Sequence, residues 1–386
     1  MRVRLDHNAT APLRAEAREK WLEVARALGG NPSSLHASGR AARACIDEAR
    51  ARIAAALEVG EDELVFTSGG TESNNLALLG CVRAGGPNAG LVTTSLEHSS
   101  ILGSAKALAQ EGRLLRIVRC DSLGSPDLDE LRSAVLSIGS GVVSVAAANN
   151  EIGALAPLAR IGQLLGELRA PRPWFHTDAV QALGKIPVRL AEWGVDLASF
   201  SAHKVGGPVG IGILWRRRGV AIQPLFHGGS QEGGLRPGTE NAAGIASAAV
   251  AIELAVGEQA EFALRVGELV SYLWEGIHQT VPGARILGPP LDRTRLSNTL
   301  CVLLPGMDGK VLGMRFDLEG LEVSAGSACA SGSLEPSHVL LALGHDEDAA
   351  RAGLRISLGP STSRDDCDRA IGVFKKLFVS SRATWR

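Results

Sequence analysis

The sequence predicts an α/β protein: a large domain with a mostly parallel sheet covered by helices on both faces, plus a smaller α+β domain. Three observations predict it. Short apolar runs alternate with helical segments from Leu64 to Trp215. Those runs stay apolar at successive positions, as strands buried on both faces do. After about Pro237 the texture changes to one long stretch rich in Ala, Glu and Val, then to scattered short strands. The boundaries this suggests are 16–250 for the large domain, and 1–15 with 251–386 for the small one.

Taken in order, Val3 to Leu5 reads as a short strand before the polar turn DHNAT. A helix from about Pro12 to Leu28 ends at Gly29-Gly30, and an alanine- and arginine-rich helix follows from about Ser38 to Leu57. Strands are then expected at Leu64–Thr67, Leu91–Thr94, Leu114–Val118, Val142–Ala147, Trp174–Asp178, Leu197–Phe200 and Ile211–Trp215. Helices separate them, opened by SGGTES, by His98-Ser99-Ser100, by Leu128, by Ile161 and by Ala179. Thr239 to about Gln279 reads as one long helical stretch. Strands near Thr299–Leu304, Leu321–Val323 and Leu354–Ser357, with a last helix from Arg364 to Leu377, complete the small domain.

Composition narrows the function classes. The 386 residues are 45% hydrophobic and 21% charged, with a net charge of -1, as in a soluble globular chain. That balance gives no footprint for nucleic acid or an anionic membrane. MRVRLDHNATAPL lacks the apolar centre of a signal peptide, and no run approaches a membrane span, so the expected location is cytoplasmic. The six cysteines lack the CxxC spacing of a zinc or redox pair. Five sit in apolar or helical contexts and read as small buried residues.

In a parallel sheet, ligands sit beyond the carboxyl ends of the strands. The polar residues there are Gly70 and Thr71 in SGGTES, His98, Asn150 with Glu151, Asp178 with Gln181, and Ser201, His203 and Lys204. SGGTES is a glycine turn entering a helix, either a phosphate cradle or a plain cap. It is neither a Walker loop nor GxGxxG. Asp178 ends the apolar strand WFHTD, where a carboxylate needs a cationic partner such as a pyridinium nitrogen, or caps the next helix. His98 is a cap, a satisfied core histidine, or a ring that stacks on a flat cofactor. Lysine is scarce, seven against thirty-three arginines, yet Lys204 is kept in SAHKVGG. Lysine can lose its proton and attack a carbonyl, which arginine cannot. Phosphate cradle, acid for a ring nitrogen and reactive lysine are the parts a pyridoxal-phosphate enzyme requires. Cys329 lies in SAGSACASGS, and residues 324–333 are almost all small. Such a stretch packs poorly and is expected to be a mobile loop with an exposed, reactive thiol.

FTSGGTESNN, EH at 97–98, NNEIG, HTDAVQALGK, SFSAHKVGGPVGIG, GLRPGTEN and SAGSACASGSLEPSHVL resemble the cysteine desulfurases of the nitrogen-fixation and iron–sulfur-cluster type. Those belong to the class V aminotransferase group of fold-type I pyridoxal-phosphate enzymes. The resemblance implies pyridoxal 5'-phosphate as cofactor, L-cysteine as substrate, and a homodimer with its site at the subunit interface. It implies that Lys204 joins the cofactor, Asp178 holds its ring nitrogen, Gln181 its phenolate oxygen with Asn150 nearby, and that His98 stacks on its face. Gly70, Thr71, Ser201 and His203 would bind the phosphate, with Thr239 from the partner subunit. Arg355 would pair with the substrate carboxylate, helped by Asn31. Cys329 would take the sulfur as a persulfide for an acceptor such as an iron–sulfur scaffold. The open alternatives are a selenocysteine lyase or another class V enzyme, and a non-catalytic sulfur carrier that has kept the fold. Three features depart from the usual pattern: Gly233 where arginine is common, Ser100 where alanine is common, and a short C-terminus, SSRATWR.

Overall fold

The apolar runs from Leu64 to Trp215 form one seven-stranded sheet in a computed structural model that describes residues 2–168, 172–304, 309–325 and 335–379. After β1 (Val3–Arg4) come β2 (Leu64–Thr67), β3 (Gly90–Thr94), β4 (Leu115–Val118), β5 (Gly141–Ser144), β6 (Trp174–Asp178), β7 (Leu197–Ser201) and β8 (Gly212–Arg216). Their spatial order is β2-β8-β7-β6-β5-β3-β4. β3, β4, β5, β6 and β7 pair in parallel, while β8 runs antiparallel to both β7 and β2.

Neighbouring residues on one strand feed different cores, as the continuous apolar runs require. Leu64 and Phe66 enter one core and Val65 the other; Ile213 and Trp215 oppose Leu214 in the same way. The helices between the strands are α1 (Ala15–Ala27), α2 (Ala37–Leu57), α3 (Gly70–Ala84), α4 (Ser99–Gln110), α5 (Leu128–Ile138), α6 (Leu158–Gly166) and the short α7 (Leu190–Trp193). α1, α2, α5 and α6 bury their apolar faces in the first core, and α3 and α4 in the second.

The expected single helical stretch from Thr239 is two helices. α8 (Ala242–Gly257) and α9 (Gln259–Thr280) meet at a bend of 67°. The physical reason is that they serve different cores. α8 is small and apolar nearly all round and packs in the first core through Ile245, Ala249, Ile252 and Ala255. α9 has one apolar stripe, Val266, Val270, Leu273 and Ile277, that packs elsewhere. The chain therefore crosses between cores at Glu258, beyond residue 250.

The remaining elements are β9 (Arg285–Ile286), β10 (Thr299–Leu303), α10 (Gly309–Leu318), β11 (Leu321–Glu322), β12 (Ser324–Ala325), α11 (His338–Ala342), α12 (Glu347–Ala352), β13 (Gly353–Ser357) and α13 (Arg364–Val379). β12, β13, β10 and β9 form an antiparallel sheet in that order, and β1 pairs in parallel with β11. Val302, Leu354 and Ile356 of this sheet pack on the α9 stripe with Phe316 and Phe374. The N-terminal segment runs beside β13, with Ser357 N–H donating to Leu5 O at 2.7 Å and His7 N–H to Ser357 O at 3.1 Å. It then reaches the carboxyl edge of the large sheet at Asn8.

The helix expected from Ala179 does not form. Residues 180–185 are turns, and Asp178 Oδ1 accepts from Val180 N–H at 3.0 Å. Asp178 thus closes a turn rather than capping a helix.

Candidate active site

The strand-end residues converge. Gly70, Thr71, His98, Asn150, Asp178, Gln181, Ser201, His203, Lys204 and Arg355 line one cavity of about 200 Å³. A larger cavity of about 530 Å³, lined in part by Lys185, adjoins it at Lys204, but neither Asp178 nor His98 lines it.

At the β2–α3 turn, the first helical bond is Ser73 N–H to Gly69 O, so the N–H groups of Gly70, Thr71 and Glu72 precede the helical ladder. A Cβ on Gly70 would lie 2.8 Å from Val180 Cγ2. A Cβ on Gly212 would lie 2.4–2.5 Å from the Gly69 backbone, so β8 approaches the turn only as glycine. Ser201 Oγ is buried in this cavity without a hydrogen-bond partner among the described residues.

Asp178, buried at the end of β6, accepts from Asn74 Nδ2 at 2.7 Å on its second oxygen. Asn74 Nδ2 also donates to Ser100 Oγ at 2.9 Å. The Ser100 hydroxyl lies 2.8 Å from His98 Nδ1, which accepts from Ser100 N–H at 3.1 Å as well. Since Nδ1 accepts from Ser100 N–H it carries no proton, and the Ser100 hydroxyl donates to it as well. Neutral His98 therefore carries its proton on Nε2. His98 is both a helix cap and a lining residue of the cavity. Ser100 joins it through Asn74 to Asp178, a role that alanine could not fill.

Lys204 stands on the short turn after β7, which Gly206 ends in the left-handed region at φ +84°. Its Nζ donates to the carbonyls of Asn8 and Ala9, both at 2.8 Å. His203 Nδ1 pairs with Thr10 Oγ1 at 3.1 Å, and burial, then the Lys204 charge, push its pKa down to about 4. His203 is thus neutral near pH 7. Arg355 enters from β13 almost fully buried. Its Nη2 donates to Asp6 Oδ1 at 2.7 Å and its Nη1 to Asn150 O at 3.2 Å, while Nε has no partner among the described residues.

A family model described as aminotransferase class-V matches residues 3–370. The chain belongs to the class-V aminotransferase family. Within that family it is 40% identical over 381 residues to "Cysteine desulfurase IscS" of Dictyoglomus turgidum, covering 98% of this chain and 95% of the relative. A solved "NIFS-like protein" superposes with a TM-score of 0.91 at 36% identity, covering 98% of this chain and all of the other. A second solved relative, "SspA in complex with cysteine", matches with a TM-score of 0.78 at 30% identity over 94% of this chain and all of that one.

Asn31 is exposed and does not line the cavity. Thr239, expected to act from the partner subunit, is exposed on this chain. Glu151 turns away to accept from Ser337 Oγ at 2.6 Å. Cys329 and the C-terminal SSRATWR lie outside the described residues. β12 pairs Ser324 with Arg355, so the 324–333 segment starts on the strand beside the cavity. Burial raises the thiol pKa of every described cysteine: Cys81, Cys120 and Cys301 to about 12, Cys367 to about 11, and Cys45 upward. All five are poor thiolate donors at neutral pH. Gly233 adopts φ +65° with open space around it, where a side chain would be strained. Its neighbours keep their contacts: Glu232 with Arg50 at 2.6 Å and Phe66 N–H at 2.8 Å, and Arg236 with Glu72 at 3.0 Å.

Sequence reasoning missed Asn8, Asn74 and Lys185. Asn8 is buried and lines the cavity, yet only its place in DHNAT marked it. Short amides carry no periodic signal, and their partners lie far along the chain.

Proposed function

We propose that the protein is a pyridoxal-phosphate-dependent cysteine desulfurase that converts L-cysteine to L-alanine and holds the sulfur as a persulfide on Cys329. The observation that carries this reading is the convergence of an amine, a buried carboxylate and a helix N-terminus on one cavity. The named relatives support the same substrate.

The residues fit the cofactor. The N–H groups of Gly70 and Thr71, the partnerless Ser201 hydroxyl and His203 suit a phosphate. Asp178 suits a protonated ring nitrogen and Gln181 a phenolate oxygen, with Asn150 at the same wall. His98 serves as the stacking ring. Thr239, exposed in this chain, is assigned to the phosphate of the other subunit's site in a homodimer.

Pyridoxal phosphate supplies an electrophilic carbonyl and a conjugated ring that accepts electron density from the substrate carbons. Lys204 would hold that carbonyl, and its Nζ, with His98 as second base, would move the proton at substrate Cα. Arg355 takes the substrate carboxylate. Asp6 and Asn150 O hold two of its nitrogens and leave the buried Nε without an acceptor among the described residues. The Cys329 thiolate attacks the substrate Sγ. A sulfur–sulfur bond forms, the Cβ–Sγ bond breaks with its electron pair left on carbon, and a proton from Lys204 completes the methyl group. Delivery of the sulfur to an acceptor protein, such as an iron–sulfur scaffold, restores the thiol.

Cys329→Ala tests the reading. The variant is expected to keep the cofactor's visible absorbance and to stop releasing alanine from cysteine; undiminished alanine release would overturn the sulfur role.

A further inference from the structure

Lys185 is buried and has no part in the chemistry above. It ends the HTDAVQALGK motif, and its Nζ meets the other lysine of the site through one residue. Asn8 O accepts from Lys204 Nζ, and Asn8 Oδ1 accepts from Lys185 Nζ at 2.9 Å. Lys185 Nζ also donates to Gln181 Oε1.

The orientation of both amides follows from their fixed neighbours. Asn150 O only accepts, so the group that Asn8 turns toward it at 3.2 Å is Nδ2. The oxygen of that amide then faces Lys185. Lys185 in turn presents N–H to Gln181, so the Gln181 oxygen faces Lys185. Gln181 Nε2 donates one hydrogen to Asn8 O at 3.0 Å. Its second hydrogen is left for the cavity that Gln181 lines. Turning the Gln181 amide over would set oxygen against oxygen at Asn8 and, at a charged Lys185, N–H against N–H; an uncharged Lys185 would have to give up one N–H bond and accept instead.

We propose that Lys185 is a positioning residue that makes Gln181 an obligate hydrogen-bond donor toward the cofactor's ring oxygen. The inference rests on the pyridoxal-phosphate reading of the cavity. It holds in either protonation state of Lys185. Burial, and the charges of Lys204 and Arg355, lower its pKa well below the ordinary lysine value, and His7 is the other titratable group that feels its charge. An uncharged amine still has two N–H groups, enough for the two amide oxygens it serves. An acceptor-only or apolar side chain could not serve both.

The test compares the affinity of the apo protein for pyridoxal phosphate and for its 3-deoxy analogue, which lacks the ring oxygen. The wild type is expected to prefer the parent compound. Lys185→Met is expected to lose about tenfold of that preference, as for one well-placed hydrogen bond, while binding the analogue within about twofold of wild type. Gln181→Leu should lose the same preference, and the double variant no more than Gln181→Leu alone. A Lys185→Met protein that binds both compounds more weakly with an unchanged ratio, or losses that add in the double variant, would overturn the proposal. Where the methionine variant does not fold, Lys185→Leu, likewise without an N–H group, gives the same comparison. A wild-type protein that takes up neither compound overturns the cofactor reading itself, a failure distinct from one confined to the ratio.

Discussion

Glu97 offers a sharp test of the electrostatics beneath the site. Its carboxyl is 1% exposed. Oε1 accepts from Thr94 Oγ1 at 2.7 Å and Ala146 N–H at 3.0 Å, tying the end of β3 to the chain after β5, while Oε2 has no partner among the described residues. Burial pushes its pKa up to about 7, against the two hydrogen bonds; the Asp178 charge adds to the rise and His98 opposes it. In the unfolded chain the group titrates near 4.3. The folded state therefore holds the proton more tightly. The contribution is intact below about pH 4.3 and is lost as pH rises through about 7. A shift from 4.5 to about 7 corresponds to about 3 kcal/mol. Glu97→Gln removes the titration. Its amide nitrogen sits at the partnerless position, so the variant should be less stable than wild type at pH 5, by about 1–3 kcal/mol. Relative to wild type it should then gain about 3 kcal/mol by pH 8.5. Urea unfolding of both apo proteins, at one protein concentration across that pH range, measures the difference. A constant difference from pH 5 to 8.5 would refute a buried, titrating Glu97.

Three further outcomes are expected. Asp178→Asn keeps the shape at the end of β6 but removes the charge assigned to the ring nitrogen; alanine formation from cysteine should fall by about 100-fold or more. Gly212→Ala puts a methyl group 2.4–2.5 Å from the Gly69 backbone, and should cost about 1–3 kcal/mol in thermal stability and weaken cofactor uptake together. Glu232→Ala strands Arg50 and the Phe66 N–H, and should cost about 3–5 kcal/mol in denaturant unfolding, the range for breaking one side of a buried ion pair.

The sheet was legible because burial on both faces forces continuous apolar runs, and β2, β3, β6 and β7 stand within a residue of their expected spans. The convergence of Asp178, His98 and Lys204 was legible for a topological reason: parallel strands share a carboxyl edge. The bend at Glu258 was not. Both α8 and α9 favour helix, and only which core each serves separates them, which is a property of tertiary packing. The turn at Asp178 was misread as a helix start because an aspartate before alanines offers the same side-chain bond in either setting.

The amide network was illegible for a deeper reason. Asn8 uses its N–H, both lone pairs of its carbonyl and all four positions of its side-chain amide: Ser357, Lys204, Gln181, Lys185, Asn298, Asn150 and Thr299 are its partners. Those partners come from the small sheet and from the turns that follow strands of the large one, so the residue has meaning only where the two meet. A hydrophobic core tolerates exchange of one apolar residue for another of like volume. A saturated buried amide does not, because each lost partner leaves a desolvated group behind. The N-terminal segment that carries Asn8 pairs with two residues of β11 and bridges β13 at Asp6 and Ser357. The polar bonds at its end, added to those short pairings, hold it against the site. The placement of Lys204 Nζ therefore depends on a segment that neither helix nor strand periodicity would have singled out.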